Sequence, residues 1–216
     1  MNKINYQKEL EKTLSIIETN SQSPPRLLLH SCCAPCSSYV LEYLSRYFEI
    51  TVLYYNPNIF PKEEYTYRIE EQQRLITAMN DKGKGYPISM IATDYEPEAF
   101  YEIAKGLEQE PEGGERCFRC YELRLREAAN YAKKGAFDYF TTTLSISPLK
   151  NAVKLNEIGG EIAKEYDLAY LYSDFKKKNG YQRSVELSAI YNLYRQDYCG
   201  CVYSKMERDN FLLMKK

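Results

Sequence analysis

The sequence of 216 residues has no tryptophan and only one histidine. With one histidine, a Ser-His-Asp triad or a zinc hydrolase is implausible. Three common motifs are also absent: the phosphate-binding G-x-x-x-x-G-K-S/T, the dinucleotide-binding G-x-G-x-x-G and the metalloprotease H-E-x-x-H. These absences argue against hydrolytic chemistry and against the usual phosphate-binding loops.

Long hydrophobic runs are missing as well. No stretch approaches the roughly 18 consecutive apolar residues that a membrane helix needs. The first residues mix charged and apolar side chains and lack the apolar stretch of a secretory signal. Since 44% of the residues are hydrophobic, the chain can bury a full core. We therefore expect a cytoplasmic protein with one domain over residues 1–216 and no membrane partner.

The net charge of −1 hides an asymmetry between two parts of the chain. Residues 1–116 carry 12 Lys and Arg against 18 Asp and Glu, a balance of −6. Residues 117–216 carry 17 against 12, a balance of +5, and the two sum to −1. The basic part can offer a surface to nucleic-acid phosphates, although ordinary solvated helix faces explain it equally well.

Seven cysteines carry most of the information. An odd number in a chain without a secretory signal argues against a disulfide framework, and clustered thiols in a reducing compartment are typical of metal or redox sites. None of them is isolated. They form three groups: Cys32, Cys33 and Cys36; Cys117 and Cys120; Cys199 and Cys201.

Five apolar segments of strand type alternate with helical patterns. The strands are predicted at 26–30, 49–56, 89–94, 137–143 and 168–172. Helices are predicted over 3–20, 62–80, 96–105, 117–134 and 182–193, and a further helix begins at Pro35. The helix between the last two strands is predicted from Pro148 to Tyr166, with Ser147 as its cap. This alternation predicts an α/β fold whose parallel sheet is covered by helices on both faces. In such sheets ligands gather beyond the carboxyl ends of the strands, and the first cysteine group directly follows the first strand.

The two later cysteine pairs have spacings that bring thiols together. In the C-x-x-C of Cys117 and Cys120 the thiols share one side of a helical turn, and in the C-x-C of Cys199 and Cys201 they share a face of extended backbone. Four thiolates suit either tetrahedral zinc or a four-iron cluster, and zinc would be the favourite for these pairs alone. The three additional thiols would have no purpose beside a closed zinc site, so they favour a redox cluster next to a second centre.

Five sequence blocks carry a resemblance to a known family. LLLHSCCAPCS, YYNPNI, PEGGERCFRCYELRL, DYFTTTLSISPLKN and YRQDYCGCVYS occur in this order and contain all seven cysteines. In this order they resemble the QueH-type epoxyqueuosine reductases, the cobalamin-independent family. The resemblance covers residues 26–204 as a catalytic core, whereas residues 1–25 match nothing assigned and form an N-terminal helical extension.

The resemblance implies a Rossmann-like, HUP-type three-layer fold with a 4Fe–4S cluster at the carboxyl edge of the sheet and an adjacent mononuclear iron. In the family, the second iron is described as held by two cysteines and an acidic residue. Cys36 stands where some relatives carry Asp, so three thiolates could hold this iron here. All seven cysteines are predicted metal ligands, and their division between the two metals stays open.

The implied reaction removes the epoxide oxygen of epoxyqueuosine at the wobble position of transfer RNA, using two electrons and two protons, as the last step to queuosine. The implied partners are the anticodon region of tRNA and an unidentified electron donor, with no role for DNA. His30, Tyr55 and Tyr198 are candidate proton donors, although purely structural roles are as common for such residues. Candidate RNA contacts are Asn56, Asn58, Lys150, Lys154, Arg183 and Arg195.

Two alternatives stay open at the level of the sequence. One is an iron–sulfur tRNA-thiolating enzyme of PP-loop type, which would bind ATP in a glycine-containing Ser-Gly-Gly-x-Asp-Ser loop after the first strand. The chain has Ser-Cys-Cys-Ala-Pro-Cys over 31–36 instead, with no glycine. The other is a non-enzymatic RNA-binding module stapled by zinc, which would be colourless when purified without oxygen.

Overall fold

The computed structural model describes residues 4–20 and 22–214. In chain order the elements are α1 (Tyr6–Asn20), β1 (Arg26–His30), α2 (Ala34–Leu44), β2 (Glu49–Tyr54), α3 (Lys62–Asp81), β3 (Ile88–Ala92), α4 (Glu98–Ala104), α5 (Glu115–Lys134), β4 (Tyr139–Thr142), a 3-10 turn (Thr143–Ile146), α6 (Ala152–Tyr166), β5 (Ala169–Tyr170), α7 (Gly180–Ile190) and α8 (Val202–Leu213). The first residue of the predicted helix over 3–20 lies outside the described residues. Within those residues, no helix has the length and apolar character to cross a membrane.

The sheet confirms the predicted α/β class. Its five strands run in the order β3-β2-β1-β4-β5, and each neighbouring pair is parallel. After β1 the chain adds β2 and β3 on one side of β1, and then returns to add β4 and β5 on the opposite side of β1. This reversal opens a crevice between the carboxyl ends of β1 and β4, which is where parallel sheets bind ligands.

Strand β1 is buried on both faces, so helices lie on both sides of the sheet. Leu27 and Leu29 pack into one hydrophobic cluster together with residues of α1, α2 and α3. Leu28 points the opposite way, into a second cluster built from α5 and α6. Alternating side chains of one strand thus enter different cores, as expected for a continuous apolar run in a parallel sheet.

The segment after β4 differs from the prediction. The predicted helix from Pro148, capped by Ser147, is wrong over its first turn: α6 begins at Ala152. Pro148 instead lies in a turn closed by a hydrogen bond from the Lys150 N–H to the Ser147 carbonyl. The Asn151 side chain caps α6 because its Oδ1 accepts a hydrogen bond from the Lys154 N–H at 3.1 Å.

The end of the chain also departs from the prediction. Helix α7 begins and ends a few residues earlier than the predicted 182–193, and α8 was not predicted at all. Its sequence, VYSKMERDNFLL, buries only Ser204. Without an apolar stripe, the periodicity that identifies a surface helix is missing.

The two possible caps of α6 make different predictions for stability. We expect Asn151→Ala to lower the free energy of unfolding by about 1 kcal/mol, since a helix N-cap is lost. Ser147→Ala is the matched control and should change it by less than about 0.5 kcal/mol, because the Ser147 hydroxyl accepts a long turn hydrogen bond, from the Leu149 N–H at 3.3 Å, and none from α6. Urea denaturation of both variants measures this, and a larger loss for Ser147→Ala would contradict the assignment.

Candidate metal centre

The loop between β1 and α2 gathers the first three cysteines. The sulfur atoms of Cys32, Cys33 and Cys36 all lie within 4.8 Å of one another, and Cys32 Sγ is 3.8 Å from Cys33 Sγ. Cys33 occupies the N-cap position of α2, and Pro35 begins its first turn, so the helix brings Cys36 back towards the loop. We call this group the cysteine trio.

Polar contacts hold the trio loop in place. The Ser37 hydroxyl donates to the Cys33 carbonyl at 2.8 Å, and both Ser31 and Ser37 hydrogen-bond to the buried Gln72 amide oxygen of α3. The Asn56 side-chain amide donates to the Ser31 carbonyl at 2.8 Å. The loop is therefore fixed from α3 and from the end of β2.

Electrostatics within the trio favour one thiolate. Hydrogen bonds from Cys32 and Cys36, together with the charge of Arg68, hold the pKa of Cys33 well below its ordinary value. The hydrogen bonds to Cys33 have the opposite effect on Cys32, whose pKa rises to about 11. Hydrogen bonds to Cys32 and Cys33 likewise raise the pKa of Cys36. A metal ion that bound all three sulfurs would displace the protons of Cys32 and Cys36.

The other four cysteines meet on the far side of the same edge, and we call them the cysteine quartet. Cys117 and Cys120 lie in the first turns of α5, and Cys120 packs with Cys201 against Phe100 of α4. Burial raises the pKa of Cys120 to about 12, and the nearby sulfurs of the quartet add to this. Among the described residues, no three of these four sulfur atoms lie within 4.8 Å of one another.

The C-x-C segment is not the extended backbone that its spacing predicted. Gly200 has φ of +124°, a conformation that favours glycine, so the chain turns between the two cysteines. Cys201 then becomes the N-cap of α8, and its sulfur accepts a hydrogen bond from the Ser204 N–H at 3.4 Å. The turn directs Cys199 towards Lys150 instead.

Lys150 lies against the quartet. Its ammonium nitrogen is 2.9 Å from Cys199 Sγ and 2.8 Å from a Glu112 carboxylate oxygen, and the residue is buried. Burial alone would lower the pKa of Lys150, but the charges of Cys199, Tyr121 and Glu112 outweigh it and raise the pKa well above its ordinary value. Lys150 was predicted as an RNA contact; in the structure its ammonium group lies against the Cys199 sulfur.

Arg124 of α5 lies between the trio and the quartet. Its Nε donates to the Cys120 carbonyl at 3.1 Å and its Nη1 to Asn56 Oδ1 at 3.4 Å. Within the described part of the chain, Nη2 has no hydrogen-bond acceptor. Burial lowers the pKa of Arg124, but the charges of Cys120, Cys199 and Cys32 outweigh it, and the guanidinium stays charged. Sequence reasoning missed this residue, although its place four residues after Cys120 puts it on the same helix face.

A cavity of about 190 Å³ joins the trio to the quartet. Arg124 lines it, together with Cys32 and Cys36 from the trio and Cys199 from the quartet. The remaining lining side chains that can bind or donate are Glu112, Ser147, Lys150, Tyr181, Ser184, Arg195, Gln196, Asp197 and Tyr198. Thiols that are distant in the sequence thus line one cavity.

The predicted proton donors lie at different distances from this cavity. Tyr198 lines it, and its hydroxyl donates to the Phe60 carbonyl at 2.9 Å. His30 is fully buried beneath it, with one ring nitrogen 2.9 Å from Thr142 Oγ1 and the other 3.1 Å from the Tyr55 carbonyl. Burial, helped by the charge of Arg124, lowers the pKa of His30 to about 3, so the ring is neutral. The half-buried Tyr55 does not line the cavity.

The predicted RNA contacts also differ in whether they line this cavity. Arg195 lines the cavity and donates to Ser188 at 3.0 Å. Asn58 is buried, and its Oδ1 has no partner among the described residues. Lys154 is half-buried beside Glu157. Arg183 is held in ion pairs by Glu42 and Glu186, on α2 and α7.

Comparisons with known proteins identify the family of the chain. A family model described as "Epoxyqueuosine reductase QueH" matches residues 27–207. Three proteins of that name are similar to the chain. The one from Staphylococcus epidermidis is 46% identical over 208 residues, 95% of this chain and 87% of its own length. The one from Streptococcus pyogenes serotype M1 is 44% identical over 215 residues, covering 99% and 84%, and the one from Thermotoga maritima is 34% identical over 188 residues, covering 84% and 91%. The chain therefore belongs to the QueH family of epoxyqueuosine reductases.

Proposed function

We propose that this chain is an oxidoreductase that reduces epoxyqueuosine in tRNA to queuosine, the activity for which its relatives are named. The observation that carries the proposal is the cavity in which Cys32 and Cys36 of the trio face Cys199 of the quartet. The strand order, with the trio at the reversal point, supports a Rossmann-like sheet of the HUP type.

The spacing of the trio suits a single metal ion. Three thiolates on a tetrahedral ion with metal–sulfur distances of about 2.3 Å lie about 3.8 Å apart. The sulfurs of Cys32 and Cys33 are 3.8 Å apart, and Cys36 completes a group within 4.8 Å. We therefore assign the trio to the mononuclear iron, with Cys36 in place of an acidic ligand.

The wider spacing of the quartet suits a 4Fe–4S cluster. In such a cluster each thiolate binds a different iron, so the sulfurs lie farther apart than around one ion. Cys117 Sγ also accepts a hydrogen bond from the Gly113 N–H at 3.2 Å, and Cys199 Sγ one from Lys150. Hydrogen bonds to ligand sulfurs are a means of tuning a cluster. This spacing disfavours one structural zinc ion held by all four sulfurs, as the zinc-stapled module would require.

The cavity matches a reaction that needs charge and protons in an enclosed space. When bound, a 4Fe–4S cluster supplies electrons one at a time and an open iron site polarises an oxygen atom. Each turnover consumes two electrons from a donor and two protons, so that the epoxide oxygen leaves as water and its two carbons become doubly bonded. The cavity is smaller than the roughly 300–1,000 Å³ of a typical ligand pocket, so it admits only part of a modified nucleoside.

We give two side chains of the cavity a part in this reaction. Arg124 lines the cavity and its Nη2 has no acceptor among the described residues, so we assign this nitrogen to bind the substrate oxygen and to stabilise negative charge that develops on it. Tyr198 is the one predicted proton donor that lines the cavity, and burial raises its pKa, which keeps the hydroxyl protonated. The neutral His30 instead positions the end of β1 against β4 through Thr142.

The two metal assignments predict different losses in cysteine variants. In an anaerobic assay on tRNA that contains epoxyqueuosine, we expect both Cys33→Ala and Cys120→Ala to abolish turnover. Cys33→Ala should lose one iron and keep the brown absorption at about 400 nm, because the quartet is intact. Cys120→Ala should lose that absorption. Iron analysis and absorption spectra check this, each variant serving as control for the other, and unchanged iron in both would refute the assignment.

Arg124 can be tested without removing its charge. We expect Arg124→Lys to lower kcat by about 100-fold, as when one oxyanion donor is lost, while iron content is unchanged. Arg119→Lys is the matched control on the exposed side of α5 and should leave kcat unchanged. Anaerobic steady-state kinetics measure both, and a kcat within a few-fold of wild type for Arg124→Lys would contradict the proposed part.

A further inference from the structure

We propose that a basic groove between α2, α3 and α7, separate from the catalytic cavity, binds the phosphate backbone of the anticodon stem while the loop enters the cavity. This inference rests on the proposed function, since it takes tRNA as the substrate. The residues of this groove take no part in the proposed reaction itself.

The groove is large, and its charged residues are mostly positive. Its volume is about 740 Å³, and it lies where α2 and α3 end and β3 begins. The charged residues that line it are Arg46, Lys82, Lys84, Arg183 and Glu42. Four positive charges and one negative charge give +3, in a chain whose net charge is −1. Such a concentration of positive charge attracts a polyanion.

Three of these cations are available to a ligand. Arg183 is not one of them, because it donates two hydrogen bonds, of 2.8 and 2.9 Å, to the Glu42 carboxylate. Arg46, Lys82 and Lys84 form no ion pair among the described residues, and the Lys82 ammonium lies 4.0 Å from the centre of the Tyr191 ring. Exposed cations without a carboxylate partner can each neutralise a phosphate of a nucleic-acid backbone.

The segment that carries the lysines is fixed against the fold. The Tyr86 N–H donates to the Ser45 carbonyl at 2.7 Å, which ties the segment to the end of α2. A side chain at Gly85 would lie only 2.5 Å from Ser45 Oγ, so this close approach requires glycine. Gly83, with φ of +58°, turns the chain between the two lysines. The cations are therefore presented from a defined surface.

Helix α7 connects the groove to the catalytic cavity. Tyr181 and Ser184 line the cavity, whereas Leu187 and Ile190, further along the same helix, line the groove. The 11 residues of α7 span about 16 Å, which corresponds to about five phosphates of one strand of a duplex. A stem of that length, continuing from a nucleotide held in the cavity, reaches the groove.

The test removes the three free cations together. The groove variant combines Arg46→Gln, Lys82→Gln and Lys84→Gln. The control variant combines Lys8→Gln, Lys134→Gln and Lys164→Gln, three exposed lysines that line neither the groove nor the cavity. Fluorescence anisotropy over a series of salt concentrations measures the binding of an anticodon stem–loop transcript and of a single-stranded RNA of the loop alone.

For the stem–loop, we expect the groove variant to bind at least about 10-fold more weakly at low salt than wild type. Its log–log salt slope should be shallower by about 2 to 3, because up to three phosphate contacts are lost. Binding of the loop RNA should be unchanged, and the control variant should behave as wild type. An unchanged slope, an equal loss in the control, or slower reduction by the electron donor with normal RNA binding would overturn the inference.

This outcome is separable from that of the proposed function. The binding measurements require no turnover, so the groove can be confirmed or refuted whether or not the protein reduces epoxyqueuosine. If the reaction occurs and the groove variant shows the same KM as wild type for modified tRNA, the proposed function stands and the groove inference fails. A higher KM with unchanged kcat at saturating tRNA supports both.

Discussion

Buried positive charge is the constraint on which the site depends. Sulfur atoms that bind metals do so as thiolates, and several anions in an enclosed site repel one another and lose hydration. Arg68 and Arg124 are 1% and 2% exposed, and Lys150 is 7% exposed, yet all three lie against the cysteines. Because the cations are held by the fold, their attraction for the thiolates offsets part of that cost.

Each cation has a different task. Arg68 is paired with Glu64 at 2.7 Å and lowers the pKa of Cys33, so it serves the trio. Lys150 serves the quartet through Cys199. Arg124 lies between the two groups and lines the cavity, and its Nη2 has no acceptor in the described part of the chain. For this reason we give it a part in the reaction and not only in charge balance.

Much of this arrangement could be predicted from the sequence. The apolar run before Cys32 predicts a strand, and the rule for parallel sheets then places the trio at the carboxyl edge. The spacing of Cys117 and Cys120 predicts their shared helix face. These predictions depend on local periodicity and on topology, which the sequence carries directly.

The remaining features depend on tertiary partners. Nothing in the sequence around Arg124 or Lys150 shows that these residues are buried, since arginine and lysine are usually exposed. Local patterns favoured Ser147 as the cap of α6, whereas the structure has Asn151 there, because the turn at Pro148 delays the start of the helix. The division that we propose for the seven cysteines likewise depends on distances between sulfurs that are far apart along the chain.

The central claim is that folding produces two metal sites of different kinds, one for a single ion and one for a cluster. Mössbauer spectroscopy on anaerobically iron-loaded wild-type protein tests it most directly. The account predicts about five irons per chain, with about four in the cluster environment and one in a separate mononuclear environment. A single iron environment, or a protein that binds only zinc, would contradict it.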